Sequence, residues 1–405
     1  MPTPFPLRLL SMLVLVVGCA DFATAADWPR FRGPNGTGVS EEHLAEKGWP
    51  DGDLHQFWKT NVGIGFSSPV VSEGRLFISG NQSDTDSFYC LNAETGDLLW
   101  KHSWESEAWP YLYEGGTNAT AAVDGAQVFT LGRHGPLFCF DAATGEVLWK
   151  LDLHRDLNLQ KPSWGFTSAP LVSGELLILN AGSHGLALNK ATGKVAWTTG
   201  TGDAAYAVPE PFDAQGTPAL VIFGPASLAA VRRSDGSLLW ETPWKTQFKV
   251  NAAQPIVRNN QIFVSSAYGF GCALFEAEAA GPREVWRNNE MQNHFNSCVL
   301  IGDHLYGISG TEASKAGLRC MEFATGKVEW TVSGAGLGSV IAAQDTLIVL
   351  TGRGELQFAK ASPKAYQVDY RTQALGGKCW TPPCLAHGRI YCRNAAGDLV
   401  AVAAP

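Results

Sequence analysis

With 405 residues, 45% of them hydrophobic and 17% charged, the chain has enough apolar material for a sizeable core and does not have a disordered composition. A net charge of −8 argues against nucleic acid or an anionic membrane surface as the main partner, because either would want a basic face. The 44 glycines and 14 tryptophans suit an all-β repeat, where both residue types gather at turns and packing contacts.

The first segment reads as an export signal. Arg8 is the only charge before an apolar run from Leu9 to Val17 that is too short to span a bilayer. Ala23-Thr24-Ala25 fits a small-x-small cleavage site, so residues 1–25 are expected to be removed to release a soluble protein, periplasmic or extracellular. Val16-Val17-Gly18-Cys19 offers the other reading, a lipid anchor on Cys19, which would be the only membrane attachment. The expected organisation is then a lead-in over 26–55, packed on a single domain spanning 56–405.

That domain is written in repeats. A phrase closing on tryptophan recurs: "LNAETGDLLW" ends at Trp100, "FDAATGEVLW" at Trp149, "LNKATGKVAW" at Trp197 and "VRRSDGSLLW" at Trp240. Looser copies end at Trp286 and Trp330, and Tyr370 takes the slot in the next. The steps are 49, 48, 43, 46, 44 and 40 residues, the period of a four-stranded propeller blade. A second phrase, small or polar residues followed by an alternating apolar strand, occurs eight times, starting near residues 66, 117, 166, 208, 251, 295, 338 and 380. The eighth copy ends at Pro405 without a closing strand, whereas "QFWKTNV" (56–62) is a closing strand without a blade. Trp58 lies 42 residues before Trp100, in step with the series. The economical solution is an eight-bladed β-propeller of four-stranded antiparallel blades, with the N-terminal strand completing the last one. In each closing phrase the Gly permits a tight turn with positive φ, and the tryptophan is delivered to the gap between blades.

These phrases resemble the tryptophan-docking repeats of pyrroloquinoline-quinone-like (quinoprotein-type) eight-bladed propellers over about residues 56–405. Copies one, two, three and six match best. "DWPRFRGPNGTGVS" (27–40) also resembles the start of exported bacterial members. The resemblance implies either of two activities. One is a quinone-dependent dehydrogenase oxidising alcohols or sugars, with pyrroloquinoline quinone and calcium. The other is a non-catalytic propeller that scaffolds other proteins. The alcohol-oxidising members resemble one another in a disulfide between adjacent cysteines, and no two of the nine cysteines here are adjacent. A Cys-x-x-Cys-His haem segment is also missing. The expectation is therefore a binding or scaffolding protein, a monomer, with a protein partner or small ligand.

Candidate site residues follow from the start of each innermost strand, which in a propeller lines the central channel. The slots hold Ser67, Ser68, Asn118, Ser168, Glu210, Gln254, Asn296, Ser297, Ser339 and Thr381. Phe66, Trp164, Phe166, Tyr206, Phe295 and Trp380 lie nearby in sequence, with His294 beside them. One reading is a ligand funnel: Trp164 or Trp380 stacks on the ligand, Asn118, His294 and Asn296 supply polar contacts, and Glu210 binds a cation or accepts a proton. The plainer reading is a wet channel whose polar lining satisfies strand ends. Cys90, Cys139 and Cys320 share one repeat slot, ten residues before the closing tryptophan, and read as free core thiols. Among Cys379, Cys384 and Cys392 a disulfide stays open. The aromatic stretch 103–116 suits either a partner contact or a cover for the end of the ring.

Overall fold

The computed structural model describes Met1, residues 26–44 and residues 49–405. The expected export segment, with its cleavage site and Cys19, lies outside the described residues. Alternating apolar strands joined by short turns give eight four-stranded antiparallel blades, the seventh extended to a five-stranded sheet by Val39–Ser40. They form an eight-bladed β-propeller. Blades 1 to 7 span residues 70–105, 122–152, 171–198, 210–243, 256–288, 299–333 and 339–373. Blade 8 combines Cys384–Ala386, Arg389–Arg393 and Asp398–Ala403 with the strand Gln56–Asn61. The register of that seam runs from Gln56 opposite Val402 to Asn61 opposite Asp398.

The closing tryptophans bind blade to blade. The indole N–H of Trp100 donates to the carbonyl of Ala142 in the next blade at 3.1 Å. Trp149 repeats this with Lys190 (2.9 Å), Trp197 with Arg233 (3.0 Å), Trp286 with Phe323 (3.1 Å) and Trp330 with Ser362 (2.8 Å). Trp58 of blade 8 reaches Ala93 of blade 1 at 3.1 Å, so the same contact seals the ring. The indoles of Trp58, Trp100, Trp149, Trp197 and Trp286 lie on the turn glycine of the following blade. A β-carbon on Gly96 would stand 2.7 Å from Trp58, one on Gly145 2.6 Å from Trp100, and one on Gly193 2.7 Å from Trp149. The glycine of the repeat is thus fixed twice over, by its positive φ and by the ring resting on it.

Two further details follow from the pairing. In every blade but the seventh the closing strand carries a β-bulge immediately before its tryptophan. The extra residue turns the strand and aims the indole out of its own sheet. Directly across from the tryptophan sits the small residue of the shared slot: Cys90, Cys139, Ala187, Ala230 and Cys320. Blade 7 has Phe358 opposite Tyr370 and no bulge. There Tyr370 stacks on Trp49 of the lead-in, with centroids 5.4 Å apart and planes 2° from parallel. All eight cysteines of the described residues are buried and free, including Cys379, Cys384 and Cys392.

Trp58→Ala should cost about 3–5 kcal/mol, as truncation of a buried tryptophan does, and Gly96→Ala should also lower the melting temperature although it only adds a methyl group. Thermal melting checks both. A Gly96→Ala protein as stable as the parent would refute the indole-on-glycine contact.

Candidate functional site

The lead-in occupies one end of the central channel. It carries no strand pattern beyond Val39–Ser40, and its backbone and side chains satisfy the innermost strands of the ring in turn. Trp28 pairs with Val71 of blade 1, and the Pro29 carbonyl accepts the Val123 N–H of blade 2 at 2.8 Å. Phe31 packs against the apolar cluster that blades 3 and 4 share, which includes Ala169, Leu171 and Val208. The carbonyl of Gly36 accepts from Gln254 of blade 5 at 3.3 Å, and Arg32 donates to the Cys298 carbonyl of blade 6 at 2.5 Å. Val39–Ser40 runs parallel to the innermost strand of blade 7. Glu42 then accepts the backbone N–H groups of His387 and Gly388 in blade 8, at 2.6 and 3.0 Å. Residues 28–42 therefore form a plug.

Blade 4 meets this plug through Glu210. Its carboxylate accepts a hydrogen bond from Gln254, and Arg30 and Arg32 are the nearby charges. Burial pushes its pKa up to about 7, against the lowering effects of the Gln254 bond and the two arginines. Burial likewise brings Arg32 down to about 10.

At the other side of the plug opens a pocket of about 420 Å³. Trp164, Asn118, His294, Asn296 and Trp380 all line it, and Phe31 of the plug is part of its lining. Glu210 does not, so the candidate cation ligand and proton acceptor faces the plug and not the pocket. Phe166 also departs from the aromatic set, being buried among Leu177, Leu179 and Leu188. Most of the remaining polar slots stitch neighbouring blades: the Ser68 N–H donates to Thr120, the Gln254 N–H to Ser297, and Ser168 to the Ala207 carbonyl. Tyr113 and Tyr268 are pocket residues that the repeat alignment did not find. Tyr113 belongs to the 103–116 stretch, whose aromatic content was its only signal; Tyr268 had none.

The pocket walls are tilted rings. Trp380 meets Phe66 and Phe295 at 32° each, with centroids 5.7 and 4.9 Å apart, and Trp164 meets Tyr113 at 55°. Two cations brace the walls. Lys378 lies 4.4 Å over Trp380 and pairs with Glu114 at 2.8 Å, tying the last blade to the loop 106–116, since the first three residues of the 103–116 stretch belong to the closing strand Leu98–Glu105. Arg133 packs 5.1 Å from the Tyr113 ring and donates to the carbonyls of Ala108 and Gly116. That loop supplies Leu112 and Tyr113 to the pocket lining and leaves Tyr111 and Leu112 exposed, at 58% and 81%. His294 shares a 2.8 Å hydrogen bond with Tyr268, and burial takes its pKa down to about 4, so the imidazole is neutral at physiological pH.

A family model described as outer membrane protein assembly factor BamB matches residues 50–115 and 90–332, more than half of the chain. The chain belongs to this family of PQQ-type repeat propellers. Its solved relatives share the architecture at low identity. BamB from Moraxella catarrhalis is 15% identical with a TM-score of 0.63, over 86% of this chain and 99% of that one. Quinohemoprotein alcohol dehydrogenase from Comamonas testosteroni is 13% identical at 0.64, over 93% and 80%. The computationally designed Ika8 protein is 10% identical at 0.61, over 87% and 100%. No curated protein matches the sequence. An assembly factor, an oxidising enzyme and a designed protein thus share one fold, and at these identities the likeness carries the fold alone.

The residues present do not fit the quinone and calcium that some family members use. No carboxylate lines the pocket, and no cluster of three or more His, Cys, Asp or Glu able to hold a metal occurs among the described residues. Lys378 and Arg133, which could face an anionic quinone, already have partners.

Glu210 gives the plug a pH signature. Folding raises its pKa from 4.5 to about 7, so between those values the native state holds a proton that the unfolded chain has released. Its contribution is complete below pH 4.5 and is lost as pH rises through about 7. Glu210→Gln should flatten the fall in stability over that window, read by urea unfolding at a series of pH values; an unchanged slope would contradict the assignment.

Proposed function

We propose that this chain is an exported, non-catalytic binding or scaffolding propeller that holds its ligand, or a side chain of its protein partner, in the aromatic pocket at the open end of the channel. The observation that carries this reading is the wall itself. Nine aromatic side chains, including His294, surround an opening with no charged side chain among its lining residues. Such a wall offers burial, edge-to-face contacts and a few hydrogen bonds, which is the chemistry of recognition. General acid–base chemistry would want a group titrating near the working pH beside the reacting atoms, yet Glu210 faces the plug and burial takes His294 down to about 4, which makes it a weak base. The family match to an assembly factor supports the same reading.

The rival is a quinone-dependent dehydrogenase. Purified protein mixed with pyrroloquinoline quinone and calcium should acquire no stoichiometric quinone absorbance and should reduce no dye with alcohols or sugars. Turnover would overturn the proposal. In the same preparation, ligand-observed NMR against a fragment set should yield binders that Trp164→Ala weakens by about tenfold or more, a loss of about 1.4 kcal/mol. Binders indifferent to that substitution would place recognition elsewhere on the molecule.

A further inference from the structure

The plug passes once round the ring, from blade 1 at Trp28 to blade 8 at Glu42, and blades 8 and 1 are neighbours across the seam, so its two ends meet. Asp27 already joins the two sides. Its carboxylate accepts from the Ser72 hydroxyl of blade 1 at 2.8 Å and pairs with the His387 imidazole of blade 8 at 2.7 Å. One residue earlier, the backbone nitrogen of Ala26 donates to Oε1 of Glu42 at 3.1 Å.

Glu42 is 4% exposed, and its carboxylate is held by three backbone N–H donors: those of Ala26 and His387 on Oε1 and that of Gly388 on Oε2. Among the described residues no basic side chain pairs with it. The two in the hairpin that holds it are committed elsewhere, His387 to Asp27 and Arg389 to Glu94. A carboxylate taken out of water without a counter-charge is costly, and backbone amides offset only part of that cost. The sequence supplies a positive charge at this place. Cleavage after the small-x-small segment Ala23-Thr24-Ala25 turns the Ala26 nitrogen, the one already on Glu42, into a terminal ammonium.

Resting on the export reading above, and independent of what the pocket binds, we propose that the bond between Ala25 and Ala26 is hydrolysed on export and that the released Ala26 ammonium forms an ion pair with Glu42, fastening the plug across the seam of the ring. A signal peptidase adds water across the bond. The hydroxyl goes to the Ala25 carbonyl carbon and a proton to the Ala26 nitrogen; the new acid then gives up its proton and the amine gains one. The existing hydrogen bond becomes charge-assisted, and the buried carboxylate acquires its counter-charge. A chain anchored through a lipid on Cys19 would keep Ala26 as an amide and leave Glu42 without a cation, so the pair belongs to the soluble form.

Intact-mass analysis of the protein exported from a Gram-negative host should give a chain that begins at Ala26. Export with another first residue, or with lipid on Cys19, would overturn this inference and leave the binding reading standing; a full-length chain kept in the cytoplasm would overturn export with it. Thermal melting then tests the pair itself. An acetyl group on the Ala26 nitrogen keeps its N–H and removes only the charge, so the acetylated protein should melt about 3 °C or more below the free-amine form. In Glu42→Gln the two forms should melt together. If that variant does not fold, reductive methylation of the parent decides: the Ala26 amine should react about tenfold more slowly in the native protein than in urea. Equal melting of the acetylated and free forms, a gap that survives in Glu42→Gln, or an amine equally reactive in the native and unfolded chains would overturn the ion pair.

Discussion

The structure depends on one contact made again and again: an indole laid on the glycine of the next blade, with its N–H on a neighbouring carbonyl. It joins burial of a large apolar surface to a directional bond that fixes the rotation between sheets. Everything local to the repeat serves it. The bulge before the tryptophan aims the ring, the Cys or Ala across the strand makes room for it, and the glycine lets it lie flat. Where the tryptophan becomes Tyr370, the bulge goes, Phe358 fills the opposite slot, and Trp49 from the lead-in stacks on the exchanged ring.

A propeller built this way has a channel, and the lead-in makes that channel blind. Residues 28–42 meet all eight blades in one pass, and Phe31 contributes to the pocket lining from beneath. This division sorts the polar residues of the inner strands. Those at the plug, Glu210 and Gln254 among them, spend their polarity on Arg30, Arg32 and the backbone of the lead-in. Those at the open end, Asn118, His294 and Asn296, face the pocket. The same slot in different blades therefore carries different chemistry, according to which side of Phe31 it falls.

The fold was legible because its signals are local. The step between tryptophans, the turn glycine and the alternation of the inner strand are each contained within a dozen residues, and the orphan strand with Trp58 completes an arithmetic series. The slot shared by Cys90, Cys139 and Cys320 was visible as a spacing, and its physical meaning is the cross-strand partner of the indole. The site was legible in part. Trp164, Trp380, Asn118, His294 and Asn296 share one pocket because repeat alignment gives the level of a residue along the channel. Alignment does not give what fills the channel, so Glu210 was placed with the ligand when it faces the plug. The plug has no periodicity, and its contacts are backbone and side-chain bonds to strands as far as 346 residues away along the chain. Tyr268 was missed for a similar reason: it sits in the turn between Gln261–Ser266 and Gly271–Glu278, outside the repeated slots, and meets His294 of the next blade across the pocket lining.

The seam of blade 8 also sets an order of events. Gln56–Asn61 is made early by the ribosome and its partner, Asp398–Ala403, comes last. Until Asp398–Ala403 emerges, Gln56–Asn61 has no strand to pair with, and the first blade lacks the indole that will rest on Gly96. Seven blades can form as the chain lengthens, but the circle is completed only by a meeting of its two ends. A protein with this closure is exposed to edge-to-edge pairing for the whole of its synthesis, and any cellular factor that shields strand edges would act before that meeting.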